Sequence, residues 1–239
     1  MAKQASAVTI VVPTYNEREN LPYLYEGIKE ALDNKWEYEL IFVDDNSPDG
    51  TSEIIKSISE KDERVKLILR SGKLGLGTAV VEGFNKAKGD YLVMMDADLS
   101  HRPEDLSGLI EGLQSSDIVI GSRLVPGGGI VNWPKKRILI SRIASLVGRI
   151  IVGIPVKDLT SGFAAFRREV IVPILPDLKP KGFKLLLEIL GRTRGSKCSE
   201  SPIIFVERRY GKSKFSWKEV VLYLGLCFEM RLKRQPQNR

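Results

Sequence analysis

Two aspartates one residue apart, Asp96 and Asp98 on either side of Ala97, follow an apolar run at 91–95. Two more, Asp44 and Asp45, with Asp49 close behind, follow another apolar run at 38–43. Carboxylates grouped in this way are hard oxygen ligands suited to Mg2+ or Mn2+, ions that fill the rest of their shell with water and substrate phosphates. A divalent ion there would grip a diphosphate and stabilise it as a leaving group. A single Asp-x-Asp reads equally as a solvated loop. Two acidic loops at one edge are harder to read that way, because uncompensated acids repel unless a cation or hydrogen-bond donors intervene. Asp49, ahead of Gly50 and Thr51, fits both a functional acid and a turn entering a helix cap. His101 is the one histidine and Cys198 and Cys227 the two cysteines, too few for a zinc site of His and Cys; all three read as structural.

Placing those acids on one edge requires a particular kind of fold. Short apolar runs at 8–12, 38–43, 65–69, 91–95 and 118–120 alternate with helical patterns at 18–34, 51–60, 77–88 and 103–114. Unbroken apolar strands joined by helices predict an α/β fold with a mostly parallel central sheet covered on both faces. Such sheets bind ligands at the carboxyl ends of their strands, where residues 13–17, 44–47 and 96–98 fall. After about residue 121 come a glycine-rich turn at 126–129, a basic segment and a long apolar helical pattern. The expected organisation is one domain over 1–239, with a core at 7–125 and an acceptor- and membrane-facing elaboration at about 126–232.

The 239 residues can bury a core without disulfides, and the lack of an amino-terminal leader pattern predicts a reducing compartment with free thiols. Thirty-seven basic against 30 acidic side chains give a net charge of +7, which implies an anionic partner. The acidic loops argue against nucleic acid, a polyanion that they would repel. Gly75-Leu76-Gly77 has Val80 where a dinucleotide fingerprint needs its third small residue, and a phosphate-loop Gly-Lys-Ser/Thr is lacking, so a nicotinamide enzyme does not fit.

Several motifs in order carry a family resemblance. They are Val12-Pro13-Thr14-Tyr15-Asn16-Glu17, Val43-Asp44-Asp45-Asn46-Ser47-Pro48-Asp49-Gly50-Thr51, Gly75-Leu76-Gly77 and Asp96-Ala97-Asp98-Leu99-Ser100-His101. Gly121-Ser122-Arg123, Lys136-Arg137 with Ser141-Arg142, Asp158-Leu159-Thr160-Ser161-Gly162-Phe163 and Arg208-Arg209-Tyr210-Gly211-Lys212-Ser213-Lys214 follow. Together they resemble the family 2 inverting glycosyltransferases of GT-A type fold, and among these the dolichol-phosphate mannose synthases. The resemblance implies transfer of mannose from GDP-mannose to dolichyl or another polyprenyl phosphate with inversion. A glucosyl transfer from UDP-glucose to the same lipid is the alternative. By the same resemblance Pro13, Tyr15, Glu17, Val43 and Asp45 line the base and ribose pocket. Asp96, Ala97, Asp98 and Ser100 form the diphosphate end, with Mg2+ or Mn2+ on Asp96 and Asp98. Some relatives have glutamine where Ser100 stands, and a water is expected in place of its longer side chain. Arg123, Arg137, Arg208 and Lys214 match phosphate-binding positions, and Asp98, Arg123 and Arg137 are the residues expected to carry the chemistry.

A membrane role has its own pattern. Over 138–152 a helical projection gathers Arg137, Ser141, Arg142, Ser145, Gly148 and Arg149 on one side and leaves the rest aliphatic. Such a helix either lies in a lipid interface or packs into a core. Residues 217–230, with Trp217, Tyr223 and Phe228 placed for headgroup depth, form a second candidate, and the two helices can instead cover each other. No run reaches the roughly 18 apolar residues that suggest a span. The expectation is a peripheral protein on the cytoplasmic face of a membrane, endoplasmic reticulum in a eukaryote and plasma membrane in a prokaryote. It would be held there by interface helices or a separate membrane-anchored subunit.

Overall fold

The computed structural model describes residues 7–180, 185–207 and 217–232, with side chains from 222 onward in the last span. The first half follows the alternation of the sequence. Strands β1 (Val8–Thr14), β2 (Tyr38–Asp44), β3 (Val65–Leu69), β4 (Tyr91–Met94) and β5 (Ile118–Ser122) alternate with helices α1 (Leu21–Leu32), α2 (Thr51–Ser59), α3 (Leu76–Lys86) and α4 (Leu106–Gly112), the last preceded by a 3-10 turn at Pro103–Asp105. The second half adds β6 (Gly129–Val131), α5 (Lys135–Val152), β7 (Ala164–Arg167), α6 (Arg168–Ile171), a 3-10 segment, α7 (Leu185–Arg192), β8 (Cys198–Pro202), β9 (Ile204–Val206) and α8 (Trp217–Leu232).

Every residue of β1 is buried, as expected of a β-branched strand covered on both faces. Its side chains alternate between two cores. Val8, Ile10 and Val12 join Leu40, Phe42, Leu24 and Ile28 on one face of the sheet. Val11 joins Ile41, Val43, Phe84 and Phe166 on the other. A one-residue slip would exchange the two sets, so this packing fixes the register.

The seven-stranded sheet has the order β3-β2-β1-β4-β7-β5-β8, and β7 runs antiparallel to both β4 and β5. Its other pairings are parallel. The expected core boundary at 125 therefore does not match the sheet: β7 sits between β4 and β5, and β8 extends the far edge. The chain after 125 is part of the same sheet and also forms the two-stranded β6-β9 sheet.

Helix α5 buries Ser145, Gly148 and Val152, while Leu139, Ile143, Leu146 and Ile150 are each more than half exposed. The small residues Ser145 and Gly148 of its polar side face inward, while Arg142 and Arg149 stay exposed. The reason is α8, whose Tyr223 is buried with its hydroxyl against Gly148, where a Cβ would overlap it. Tyr223 thus supports the α5–α8 contact and does not lie at headgroup depth, whereas Phe228 is exposed. The side chain of Trp217 lies outside the described residues.

Candidate active site

Strand register assembles the site. Thr14 pairs with Asp44, and Val11 with Met94, so the loops after β1, β2 and β4 leave the sheet side by side. Pro13 and Asp96 line one small cavity together with Ser161 and Gly162.

The loop after β2 is organised by its first acid. Asp44 is fully buried and accepts from Thr14 Oγ1 (2.9 Å), Ser47 N (2.9 Å) and Ser47 Oγ (2.6 Å). Ser47 Oγ in turn accepts from Asn16 N at 2.9 Å, which joins the β2 loop to the β1 loop. Asp49 Oδ1 accepts from Thr51 N and Oγ1, and its Oδ2 accepts from Arg18 N, so it braces the start of α2. Glu17 accepts from Asn20 Nδ2 at 2.7 Å. Lys73 Nζ lies 3.8 Å from the centre of the half-buried Tyr15 ring, a cation over an aromatic face. Val43 points away from this edge into the core under α3, so only its backbone is available to a ligand.

Asp45 is nearly buried, with Oδ1 accepting from Arg70 Nη1 (2.5 Å) and Oδ2 from Gly75 N (2.8 Å). Arg70 also donates to Thr78 Oγ1 at 2.8 Å, and its Nε lies 3.1 Å from Glu82 Oε2. Sequence reasoning missed Arg70; its only signal is a basic residue just past a strand end on the same edge as an acidic loop.

The loop after β4 holds Asp96, Ala97, Asp98 and Ser100. Asp98 is buried, and Ser100 donates to its Oδ1 through both N and Oγ. Ser100 thereby fixes Asp98. Asp96 is more open, with a quarter of its side chain exposed (25%) and His101 Nδ1 3.9 Å from its Oδ2. Gly162 closes on it so tightly that a Cβ at 162 would lie 2.7 Å from Asp96 Oδ2. Among the described residues no group of three His, Cys, Asp or Glu could hold a metal alone. The residues nevertheless fit Mg2+ or Mn2+, which is typically held by one or two carboxylates plus substrate phosphates, and the missing Cβ leaves the Asp96 carboxylate uncrowded.

Two cations come from the other half of the chain. Arg123, buried, donates through Nε and Nη2 to the two oxygens of Asp158, each at 2.7 Å, and through Nη2 to Thr160 Oγ1 at 2.8 Å. Burial opposes both charges, but the Asp158 carboxylate raises the Arg123 pKa, and the charge and hydrogen bonds of Arg123 hold Asp158 below the usual carboxylate range. Glu200 on β8 then accepts from Lys157 N (2.8 Å) and Asp158 N (3.0 Å), which pins the loop that carries Asp158. The Arg137 guanidinium lies over Trp133, 3.6 Å from the ring centre, with its Nη1 3.6 Å from Glu207 Oε1. Trp133 meets Phe205 edge-on, Phe205 meets His101, and His101 stacks on Phe163. This aromatic row, also unread in the sequence, links the acidic loop to α5 and assigns His101 a packing role. Arg208 and Lys214 lie outside the described residues.

Residues 9–174 match the family described as Glycosyl transferase family 2. The chain belongs to that family. Among curated relatives it is 47% identical to the dolichol-phosphate mannosyltransferase of Pyrococcus furiosus, over 93% of this chain and 63% of the relative. It is 41% identical to the undecaprenyl-phosphate mannosyltransferase of Micrococcus luteus, over 87% of each. To the polyprenol monophosphomannose synthase of Mycolicibacterium smegmatis it is 38% identical, over 88% of this chain and 82% of that one. The chain thus spans less than two thirds of the Pyrococcus relative and most of the other two. Solved structures share the family's GT-A fold. Glucosyl-3-phosphoglycerate synthase from Mycobacterium tuberculosis with uridine-diphosphate has a TM-score of 0.68 at 18% identity, over 98% of this chain and 82% of that one. A mannosyltransferase from Pyrobaculum calidifontis in complex with GDP-Man and Mn2+ has a TM-score of 0.68 at 19% identity, over 98% of this chain and 66% of that one.

Proposed function

We propose that this chain transfers mannose from GDP-mannose to dolichyl or another polyprenyl phosphate, with inversion, forming a β-linked mannosyl phosphate lipid. The observation that carries this reading is the meeting of acidic and basic groups at one sheet edge. Asp96 and Asp98 stand there with Arg123 and Arg137 tied to the same aromatic row, in a chain whose relatives are named for mannose transfer to lipid phosphates.

The nucleotide would lie against the loops after β1 and β2, with Tyr15 as a stacking surface and Asp45 accepting from the nucleoside. Arg70 and Gly75 N hold the Asp45 carboxylate in place for that role. Asp96 and Asp98 would hold Mg2+ or Mn2+, which neutralises the diphosphate as it leaves. An acceptor phosphate is already anionic at neutral pH, so its oxygen attacks the anomeric carbon without a general base. Arg137, and the part of Arg123 that Asp158 leaves uncovered, would receive that phosphate and offset its repulsion from the donor diphosphate. One in-line displacement inverts the anomeric centre.

No helix among the described residues is long and apolar enough to cross a membrane. The exposed aliphatic side of α5 supports peripheral attachment to a membrane, where the lipid acceptor would be reached sideways; the cytoplasmic face is part of the proposal. The deciding experiment offers radiolabelled GDP-mannose and UDP-glucose in parallel with a short polyprenyl phosphate. Preference for GDP-mannose supports the reading, and preference for the uridine donor removes it.

A further inference from the structure

Helix α5 carries a second set of cations apart from Arg137. Arg142 and Arg149 are seven residues apart, two helical turns, and therefore share a face. With Lys157, from the segment after α5, they line an open cleft of about 280 Å³ whose wall also contains Arg123, Ser145 and Leu146. Among the described residues no acidic side chain lines it. Arg123 is neutralised by Asp158, but Arg142, Arg149 and Lys157 have no carboxylate partner among the described residues. Ser145 is buried in the same wall, and its Oγ has no hydrogen-bond partner among the described residues. Three uncompensated cations with a spare hydroxyl are the complement of a phosphate group. Leu146 lines the cleft and is exposed beside Ile143 and Ile150, so the phosphate that fits would carry an apolar tail.

We propose that this cleft is a second phosphate site that takes the headgroup of an anionic phospholipid on Arg142, Arg149 and Lys157; it adjoins the acceptor phosphate site, whose Arg123 forms the wall between them. It rests on the reading that the protein works at a membrane surface. It adds a lipid-class preference: the anionic headgroup sets the depth and rotation of α5, and so the direction from which the acceptor enters.

The test is co-sedimentation of the full chain with vesicles of phosphatidylcholine alone or mixed with phosphatidylglycerol. The paired variant Arg142→Gln/Arg149→Gln is compared with Lys135→Gln/Lys136→Gln, which removes the same charge from the same helix outside the cleft, and GDP binding monitors folding. The expected result is a loss of roughly tenfold or more in affinity for the mixed vesicles in the first pair, and a clearly smaller loss in the second. Equal losses would mean diffuse attraction and overturn the site. A first pair that keeps its vesicle affinity but raises the KM for polyprenyl phosphate in detergent would make the cleft part of the acceptor site, which also overturns it. Release from mixed vesicles by inorganic phosphate, beyond that caused by chloride of equal ionic strength, would mark a free-anion site and count against a lipid headgroup. Wild type that shows the cleft-dependent vesicle binding yet transfers no mannose would sink the proposed function and leave this site standing.

Discussion

Gly162 and Asp96 are packed so that nothing larger than a hydrogen fits between them: a Cβ on Gly162 would lie 2.7 Å from Asp96 Oδ2. Gly162 is therefore a condition for the position of the acid. Gly162→Ala is expected to displace the carboxylate with little loss of stability. The concentration of Mn2+ needed for half-maximal activity should rise about tenfold or more, since a misplacement of about 1 Å can cost a hundredfold in rate. A metal titration with wild-type affinity would show that Asp96 does not hold the ion.

Arg123 is positioned at two removes. Glu200 pins the backbone at 157 and 158, Asp158 holds the guanidinium, and Arg123 faces the site. Asp158→Asn should lower folding stability by about 3–5 kcal/mol, because it leaves a buried cation without its counter-charge. Glu200→Gln should leave the fold intact yet reduce kcat/KM for transfer by roughly tenfold, with GDP affinity near wild type. Equal loss of GDP binding would make Glu200 a general support of the fold.

Asp45 depends on Arg70 for its orientation. Arg70→Ala is expected to raise the Kd for GDP by about tenfold, or about 1.4 kcal/mol, measured by calorimetry. Arg70→Lys, which keeps the charge but not the fork, should recover only part of that loss. Unchanged GDP affinity in Arg70→Ala would place the nucleoside away from Asp45.

Acid stability should reflect depressed carboxylates, Asp62 and Asp158 among them. Asp62, held by hydrogen bonds from Arg64 at about 2, and Asp158, lowered by Arg123 against the effect of burial, are both more acidic than in the unfolded chain. Their contribution is complete above the unfolded value of about 4 and is lost as pH falls through the folded values. Urea midpoints should therefore be level with pH above about 5 and fall steeply below about 4. Asp62→Asn should flatten part of that fall; an identical slope would remove Asp62 from the account.

The first half of the fold was legible because its strands are apolar on both faces and end in loops rich in acids. β7, in contrast, is the short Ala-Ala-Phe-Arg, and its place between β4 and β5 is set by pairing with strands far away in the sequence, which no local period encodes. The sequence Cys-Ser-Glu-Ser-Pro of β8 is too polar to read as a strand, yet it supplies Glu200. The polar and aliphatic sides of α5 could be read from the sequence, but which side faced inward depended on Tyr223, 75 residues beyond Gly148. Arg70 was hidden for a similar reason, since Asp45 lies 25 residues earlier and only the β2–β3 pairing brings them together.

The most direct test of the central claim is mannose transfer from radiolabelled GDP-mannose to a short polyprenyl phosphate, with Mn2+ or with chelator, by wild type and by Asp98→Ala. The account predicts metal-dependent formation of an acid-labile mannosyl lipid that the substitution abolishes while the protein remains folded. A folded wild type that binds GDP but forms no such lipid, or an Asp98→Ala variant as active as wild type, would contradict it.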